Sequence, residues 1–314
     1  MKNFARKALL TAAFAGLTVG AMGARADSII GDYVIPGENT VQDSDAERVL
    51  RYNEETDDYD IITTGDLQEG DILEAILRFT DLNGSFISDF LASPYQLTAY
   101  SRIQILSISP TADPADDPDL QTIIFGSGFG DGQTMAKIYE SNTDDPSRTG
   151  TNPYWSLAAA PDGAIACTTA APPDTDCTGG IARSTAGTLL ATVGLGALDN
   201  DYWVVNSGLI DLGIVSTALA GSPQSPAGEF ALSVLTNPGG LPIAKDGILC
   251  ADGNYHDLCG SVSAYKRDTG VNTGWLLSTN TELRFNAVPE PSSVALLGLA
   301  AAGLGVFTRR KAKA

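Results

Sequence analysis

Hydrophobic and polar positions alternate over most of the middle of this chain, and the cleanest case is Tyr95 to Ser109. Leu97, Ala99, Ile103 and Ile105 fall on one face, and Gln96, Thr98, Arg102 and Gln104 on the other, the period-two signature of a half-buried strand. Upstream, Ile72 to Thr80, the dipeptide Asn83-Gly84 and then Phe86 to Leu91 predict a hairpin, because Asn-Gly accepts the positive φ angles of a tight primed turn. A helix through Asp71 to Phe79 is the competing reading of that stretch. Gln121 to Phe125 and Met135 to Tyr139 read as strands flanking Gly126 to Gly132, taken as a wide hairpin loop. Further short β-branched or alternating segments follow at Tyr154 to Ala159, Thr188 to Gly194, Tyr202 to Val205, Leu209 to Val215, Glu229 to Thr236 and Gly274 to Val288. Turn chemistry separates them at Asp199-Asn200-Asp201, Pro223 to Gly228 and Asn237-Pro238-Gly239-Gly240. Strands at this density predict an all-β fold, an antiparallel β-sandwich with long disulfide-stapled loops. The only hint of helix within the body is Ala46 to Tyr52, and Tyr59 to Thr63 reads as a short strand.

The two ends follow different rules. Lys2, Arg6 and Lys7 precede an apolar run from Ala8 to Ala21, and Ala24 and Ala26 offer small residues where a signal peptidase reads, so residues 1–26 are expected to be a signal helix removed after Ala26. At the other end, Ser292 to Phe307 is a Gly/Ala/Leu-rich run closed by Arg309, Arg310 and Lys311. It is a little shorter than the roughly 20 residues of a spanning helix, and Thr308 with a snorkelling Arg309 extends it. The basic end stays cytoplasmic and leaves the body outside. Residues 27–288 are then one extracellular body, with no repeat and no linker to divide it.

Composition sharpens the picture of that body. Eight of the 19 basic residues lie in the two ends, which leaves 11 against 37 acids and a net charge of about −26. Such a surface repels nucleic acid and anionic membranes. Acids crowd between Asp27 and Gly70, with Asp43, Asp45 and Glu47 followed by Glu54, Glu55, Asp57, Asp58 and Asp60, and they read as a solvated face. Calcium could be held loosely there, but no D-x-[DN]-x-[DN]-G loop builds a site for it. No other cofactor is expected. Four cysteines allow three pairings; Cys167 with Cys177 and Cys250 with Cys259 close the shortest loops.

The chemistry that the sequence excludes is extensive. A lone histidine, His256, rules out multi-histidine metal sites, and any Ser-His-Asp arrangement would have to run through it without a G-x-S-x-G elbow. Its setting, Gly253 to Asp257, reads as a polar surface loop. The glycine-rich stretch lacks the Gly-Lys-Ser/Thr of a phosphate loop. Abundant carboxylates leave a glycosidase open, and Trp155, Trp203 and Trp275 serve equally as sugar platforms or as core. No catalytic residue is assigned.

Val288-Pro289-Glu290-Pro291, the apolar segment and terminal Arg309-Arg310-Lys311 together resemble the PEP-CTERM sorting signal of Gram-negative bacteria. That resemblance covers residues 288–314 only. It implies a chain arrested transiently in the inner membrane, cut by an exosortase near Pro289, Glu290 and Pro291, and delivered to the surface or matrix, where such proteins accompany extracellular polysaccharide and biofilm. It is expected to act as a structural or adhesive component; a carbohydrate-active hydrolase or a ligand-binding module is the alternative.

Overall fold

The structure, a computed structural model, describes residues 33–87, 95–110, 121–142, 181, 184–185, 187–197, 200–207, 227–266 and 277–288. The Cys167–Cys177 pair, Trp155, Trp275, the strands expected at Tyr154 to Ala159 and Leu209 to Val215, and both terminal segments lie outside those residues.

Fourteen strands are defined: β1 (Gly37–Asn53), β2 (Asp58–Ile62), β3 (Ile72–Leu82), β4 (Ser85–Phe86), β5 (Tyr95–Pro110), β6 (Gln121–Ser127), β7 (Thr134–Asn142), β8 (Thr188–Gly194), β9 (Tyr202–Ser207), β10 (Ala227–Thr236), β11 (Ile248–Leu249), β12 (Tyr255–His256), β13 (Leu258–Lys266) and β14 (Leu277–Ala287). All pairings are antiparallel, and every strand except the β11–β12 hairpin belongs to one sheet. The expected all-β antiparallel body is therefore present. Where a sandwich faces two separate sheets across its core, here opposite walls of a single sheet do so.

That sheet closes on itself. β5 pairs along one edge with β3, and along the other with β7 over its first half and β6 over its second. β10 likewise takes β13 on one edge, with β9 and then β8 on the other. Because β6 and β7 both run against β5, they form one long strand interrupted at residues 128–133. β8 and β9 do the same against β10, β8 ending at Gly194 and β9 starting at Tyr202. The ring is β1, β3, β5, β6/β7, β8/β9, β10, β13, β14 and back to β1, with neighbours consecutive along the chain. It is an up-and-down barrel in which no long edge is left unpaired.

One hydrophobic cluster draws on every strand position of this ring, from Val41 and Val49 on β1 through Ile105, Phe125, Met135, Leu190, Phe230 and Leu258 to Phe285 on β14. A cluster with such contributors can only fill the lumen. An apolar gap of about 40 Å³ remains between Val41, Leu82, Leu97 and Phe285. It is lined by apolar side chains alone, and the cluster around it packs the lumen as core.

Three expectations need correction. The Ala46 to Tyr52 segment is strand, the second half of β1; its helical spacing arises because inward positions 43, 45 and 47 carry acids rather than apolar residues. Asp43, Asp45 and Glu47 are buried at 5%, 1% and 7% exposure, whereas Glu54, Glu55, Asp57, Asp58 and Asp60 in the β1–β2 turn region are solvated as expected. The Gly126 to Gly132 stretch does not reverse the chain. It is an outward excursion after which β7 continues in the direction of β6, held by Asp131, which accepts from Ser127 Oγ and from the amides of Gln133 and Thr134 at 2.8–3.1 Å. The bonds to Thr134, Gln133 and Ser127 outweigh desolvation and hold its pKa down at about 2.

The Asn83-Gly84 turn is formed, with φ of 55° and 78°, and β3 runs straight into it instead of forming a helix. Asn83 Nδ2 donates to the fully buried Asn39 and its Oδ1 accepts from Thr40 N, fastening the turn to β1.

The two strand interruptions are stacked side by side, joined by Leu195 N donating to Gln133 O at 3.0 Å. A Cβ on Gly194 would lie 2.0 Å from Gln133 O and 2.9 Å from Met135 N, both backbone atoms that cannot swing aside. Gly194→Ala should cost about 3 kcal/mol, read as a lower denaturant midpoint; an unchanged midpoint would mean that the two interruptions are not in contact.

Candidate functional site

The outer wall of β9, β10, β13, β14 and β1 carries a groove of about 900 Å³. Its position follows from alternation. Phe230, Val262 and Phe285 point into the lumen, so Glu229, Ser261, Ser263 and Glu282 point out. The lining combines amides of Gln42, Asn206 and Asn280 with carboxylates of Glu229, Asp252 and Glu282. Tyr202 completes it, its hydroxyl pKa raised by burial first and by the charges of Asp252 and Glu229 second.

One rim of the groove is the stapled loop. β11 and β12 form a hairpin closed by a turn in which Cys250 N donates to Asn254 O and Gly253 N to Cys250 O, and Cys250 and Cys259 are joined by a disulfide. Ile248, Cys250 and Cys259 pack with Ala231 into a small second core on the outside of β10. Asp257 adds two anchors, accepting from Val234 N and Asp246 N at 2.8 and 2.7 Å.

His256, expected on the surface, is buried at 1% exposure. Its Nδ1 lies 2.9 Å from Asp201 Oδ1 and its Nε2 3.1 Å from Asp252 Oδ2. Ionised carboxylates only accept, so both contacts are satisfied together when both ring nitrogens carry protons, as in an imidazolium. Burial disfavours that charge, but the bonds from Asp201 and Asp252 outweigh it and raise the pKa above the ordinary value. Asp252 is shifted the other way: burial opposes, while Asn254 and His256 pull its pKa down. Asp201 comes from the β8/β9 interruption, where its Oδ2 accepts from Gly196 N at 2.6 Å. The ion pair thus ties the excursion to the stapled loop. The Gly253 to Asp257 sequence gave no sign of this, because Asp201 is 55 residues away.

Trp203 belongs to the core. It stacks on Phe230 with ring centroids 4.8 Å apart and meets Phe125 edge-on. Among the described residues no three His, Cys, Asp or Glu side chains form a group that could hold a metal ion.

β14 carries the chain out of the barrel toward the tail. Its end is held by a bridge between Ile243 and Ala287, by Ala244 N donating to Asn286 O and by Val288 N donating to Pro242 O at 2.9 Å. Ala24, Ala26, Pro289, Glu290, Pro291, Arg309, Arg310 and Lys311 lie outside the described residues, and no described helix is long and apolar enough to cross a membrane.

An acidic β-barrel whose last strand hands the chain to a C-terminal signal is the class of protein these features define. Residues 287–311 match the family model of the PEP-CTERM protein-sorting motif. The motif implies recognition by an exosortase, export and sorting to the surface of a Gram-negative cell. No curated protein and no solved structure matches the chain.

As the sole histidine, His256 gives a single ring signal in NMR. Asp201→Asn should bring its midpoint down toward about 6.5. Since the folded pKa is raised, the ion pair's contribution to stability is complete below about pH 6.5 and is lost as pH rises through the folded value. The wild type should therefore shed more stability in that window than the variant, which keeps only the Asp252 contact; an unmoved midpoint would detach Asp201 from the ring.

Proposed function

We propose that this protein is an exosortase-processed surface protein that works as a structural or adhesive component of an exopolysaccharide matrix, acting by binding rather than by catalysis. The observation that carries the sorting half is the match of residues 287–311. For the binding half, support comes from the groove's chemistry. Amides and carboxylates set around an aromatic residue suit the paired hydroxyls and C–H faces of a sugar, each hydroxyl both donating and accepting. The lumen is filled, which leaves the outer wall as the surface for an extended polymer. Calcium, in this reading, is a loosely held counterion between the exposed acids around Glu54 to Asp60 and an anionic glycan. Signal peptidase and exosortase are the processing partners, the inner membrane is a transient station, and nucleic acid is excluded by charge.

The test applies the full chain to exopolysaccharide fractions and reads both retention and newly released reducing ends. Saturable retention without release is expected. Tyr202→Ala combined with Asn280→Ala should weaken it about tenfold, equivalent to about 1.4 kcal/mol. Replacing Pro289, Glu290 and Pro291 by alanine should leave an uncut, membrane-retained form in cells that make exosortase. Release of reducing ends would favour a hydrolase, with Glu229 and Asp252, the two carboxylates acting on Tyr202, as the first pair to replace. No retention on any fraction would end the adhesive reading.

A further inference from the structure

The barrel closes where β1 meets β14, and that seam is not an ordinary ladder. Backbone pairing runs from Gly37 opposite Ala287 to Gln42 opposite Glu282, stops, and reappears at Glu47 opposite Leu277. In the gap, side chains take over. Thr281 N donates to Asp43 Oδ1 at 2.8 Å and Thr279 N to Asp45 Oδ1 at 2.6 Å. Thr279 Oγ1 contacts both Asp45 Oδ2 and Glu47 Oε1, the latter at 3.1 Å.

A proton count over these contacts is informative. Thr279 has one hydroxyl proton, which cannot serve two carboxylates at once. The second contact needs a proton from the acid itself. Among the described residues, Asp43 Oδ2 and Glu47 Oε2 are buried without a hydrogen-bond partner, a costly position for a charged oxygen. The three acids sit at alternate positions of one strand and so share a face.

Their surroundings supply little relief. Across β3, register sets Phe79, Leu77 and Ala75 opposite Asp43, Asp45 and Glu47. On β14 the neighbours are Leu277, Thr279 and Thr281, with Glu282 exposed and Arg284 directed to Glu38. Arg48 binds Glu74 on the other face of β1, Arg78 stands opposite Ser44, and Lys266 of β13 stands opposite Leu277. Among described residues, the charges that bear on Asp43 and Glu47 are carboxylates: Asp45 on the first, Asp45 and Asp43 on the second.

We infer that the β1–β14 seam is a proton-locked closure, in which Asp43 and Glu47 hold protons on either side of Asp45 and the seam loosens as they ionise. Burial first, and repulsion from Asp45 second, push the pKa of both well above the usual carboxylate range. The folded state therefore binds more protons than the unfolded chain between the ordinary carboxylate pKa and the raised one, and stability falls as pH rises across that window. Since β14 leads directly to Val288 and the sorting motif, the lock also sets how firmly the root of the tail is held.

The test compares thermal unfolding of the full chain with that of Asp43→Asn/Glu47→Gln, whose amides mimic the protonated acids, between about pH 5 and about pH 9. His256 titrates in both proteins, so its contribution cancels. The wild type should lose at least about 4 °C more than the variant over this range. Infrared spectra of the wild type at neutral pH should show a protonated carboxyl band that disappears in alkali, a readout that stands even if the variant fails to fold. Equal pH slopes, or no such band, would overturn the proposal. So would calcium restoring the wild type's alkaline stability to its acid level, since the seam would then take a cation in place of protons.

Discussion

Closure between β1 and β14 is the constraint on which the rest of this fold depends. The other contacts around the ring span shorter stretches of chain, even β6 on β9, where Thr122 and Asn206 are 84 residues apart. The last contact joins groups 246 residues apart, as between Glu38 and Arg284, and it is the one that converts an open sheet into a filled barrel. Without it, Val41 and Val49 on one side and Leu277 and Phe285 on the other would lie at exposed edges. The chain builds this contact partly from carboxylates where backbone ladder would be expected, so the longest-range contact is also the one most sensitive to protonation.

The two interruptions in the wall serve a second purpose. A continuous barrel strand offers the outside only alternate side chains standing off its surface. Breaking β6/β7 and β8/β9 at one level releases backbone outward without opening the ring, because β5 and β10 bridge the breaks from either side. One excursion places Phe129 edge-on against Tyr100, with Lys137 over its ring. The other carries Asp201 to His256 and thereby holds the stapled loop beside Tyr202 and Glu229. The groove is thus shaped by loops whose anchors are internal to the sheet.

Strands with alternating or β-branched runs were readable in the sequence: β2, β3, β5, β6, β7, β8, β9, β10 and β14, with the Asn83-Gly84 turn that ends β3. What escaped was set by partners distant in sequence. β1 hides its strand pattern because acids occupy three inward positions, and they are tolerated there only through Thr279 and Thr281 on β14. β13 offers Cys259-Gly260-Ser261 where a strand usually shows branched residues, and Gly260 is required because a Cβ would fall 2.0 Å from Glu282 O. The glycine-rich stretch has a turn's composition, yet whether such a loop reverses the chain or bulges from it depends on β5 being long enough to pair with both halves. His256 looked exposed because its burial comes from Asp201.

The body and the tail meet at residue 287, where β14 ends and the sorting-motif match begins. That coincidence has a chemical cause. Pro289 has no N–H to give a ladder, and Pro291 repeats the deficit two residues on, so a strand leading into this motif must end before it. Val288 is the last residue before Pro289, and its N–H donates to Pro242 O. The same tripeptide that resembles an exosortase target therefore also fixes where the barrel stops. β14 faces the core through Leu277 and Phe285, faces the groove through Asn280 and Glu282, and closes the seam through Thr279 and Thr281. The core, the groove, the seam and the root of the tail are thus built on one strand.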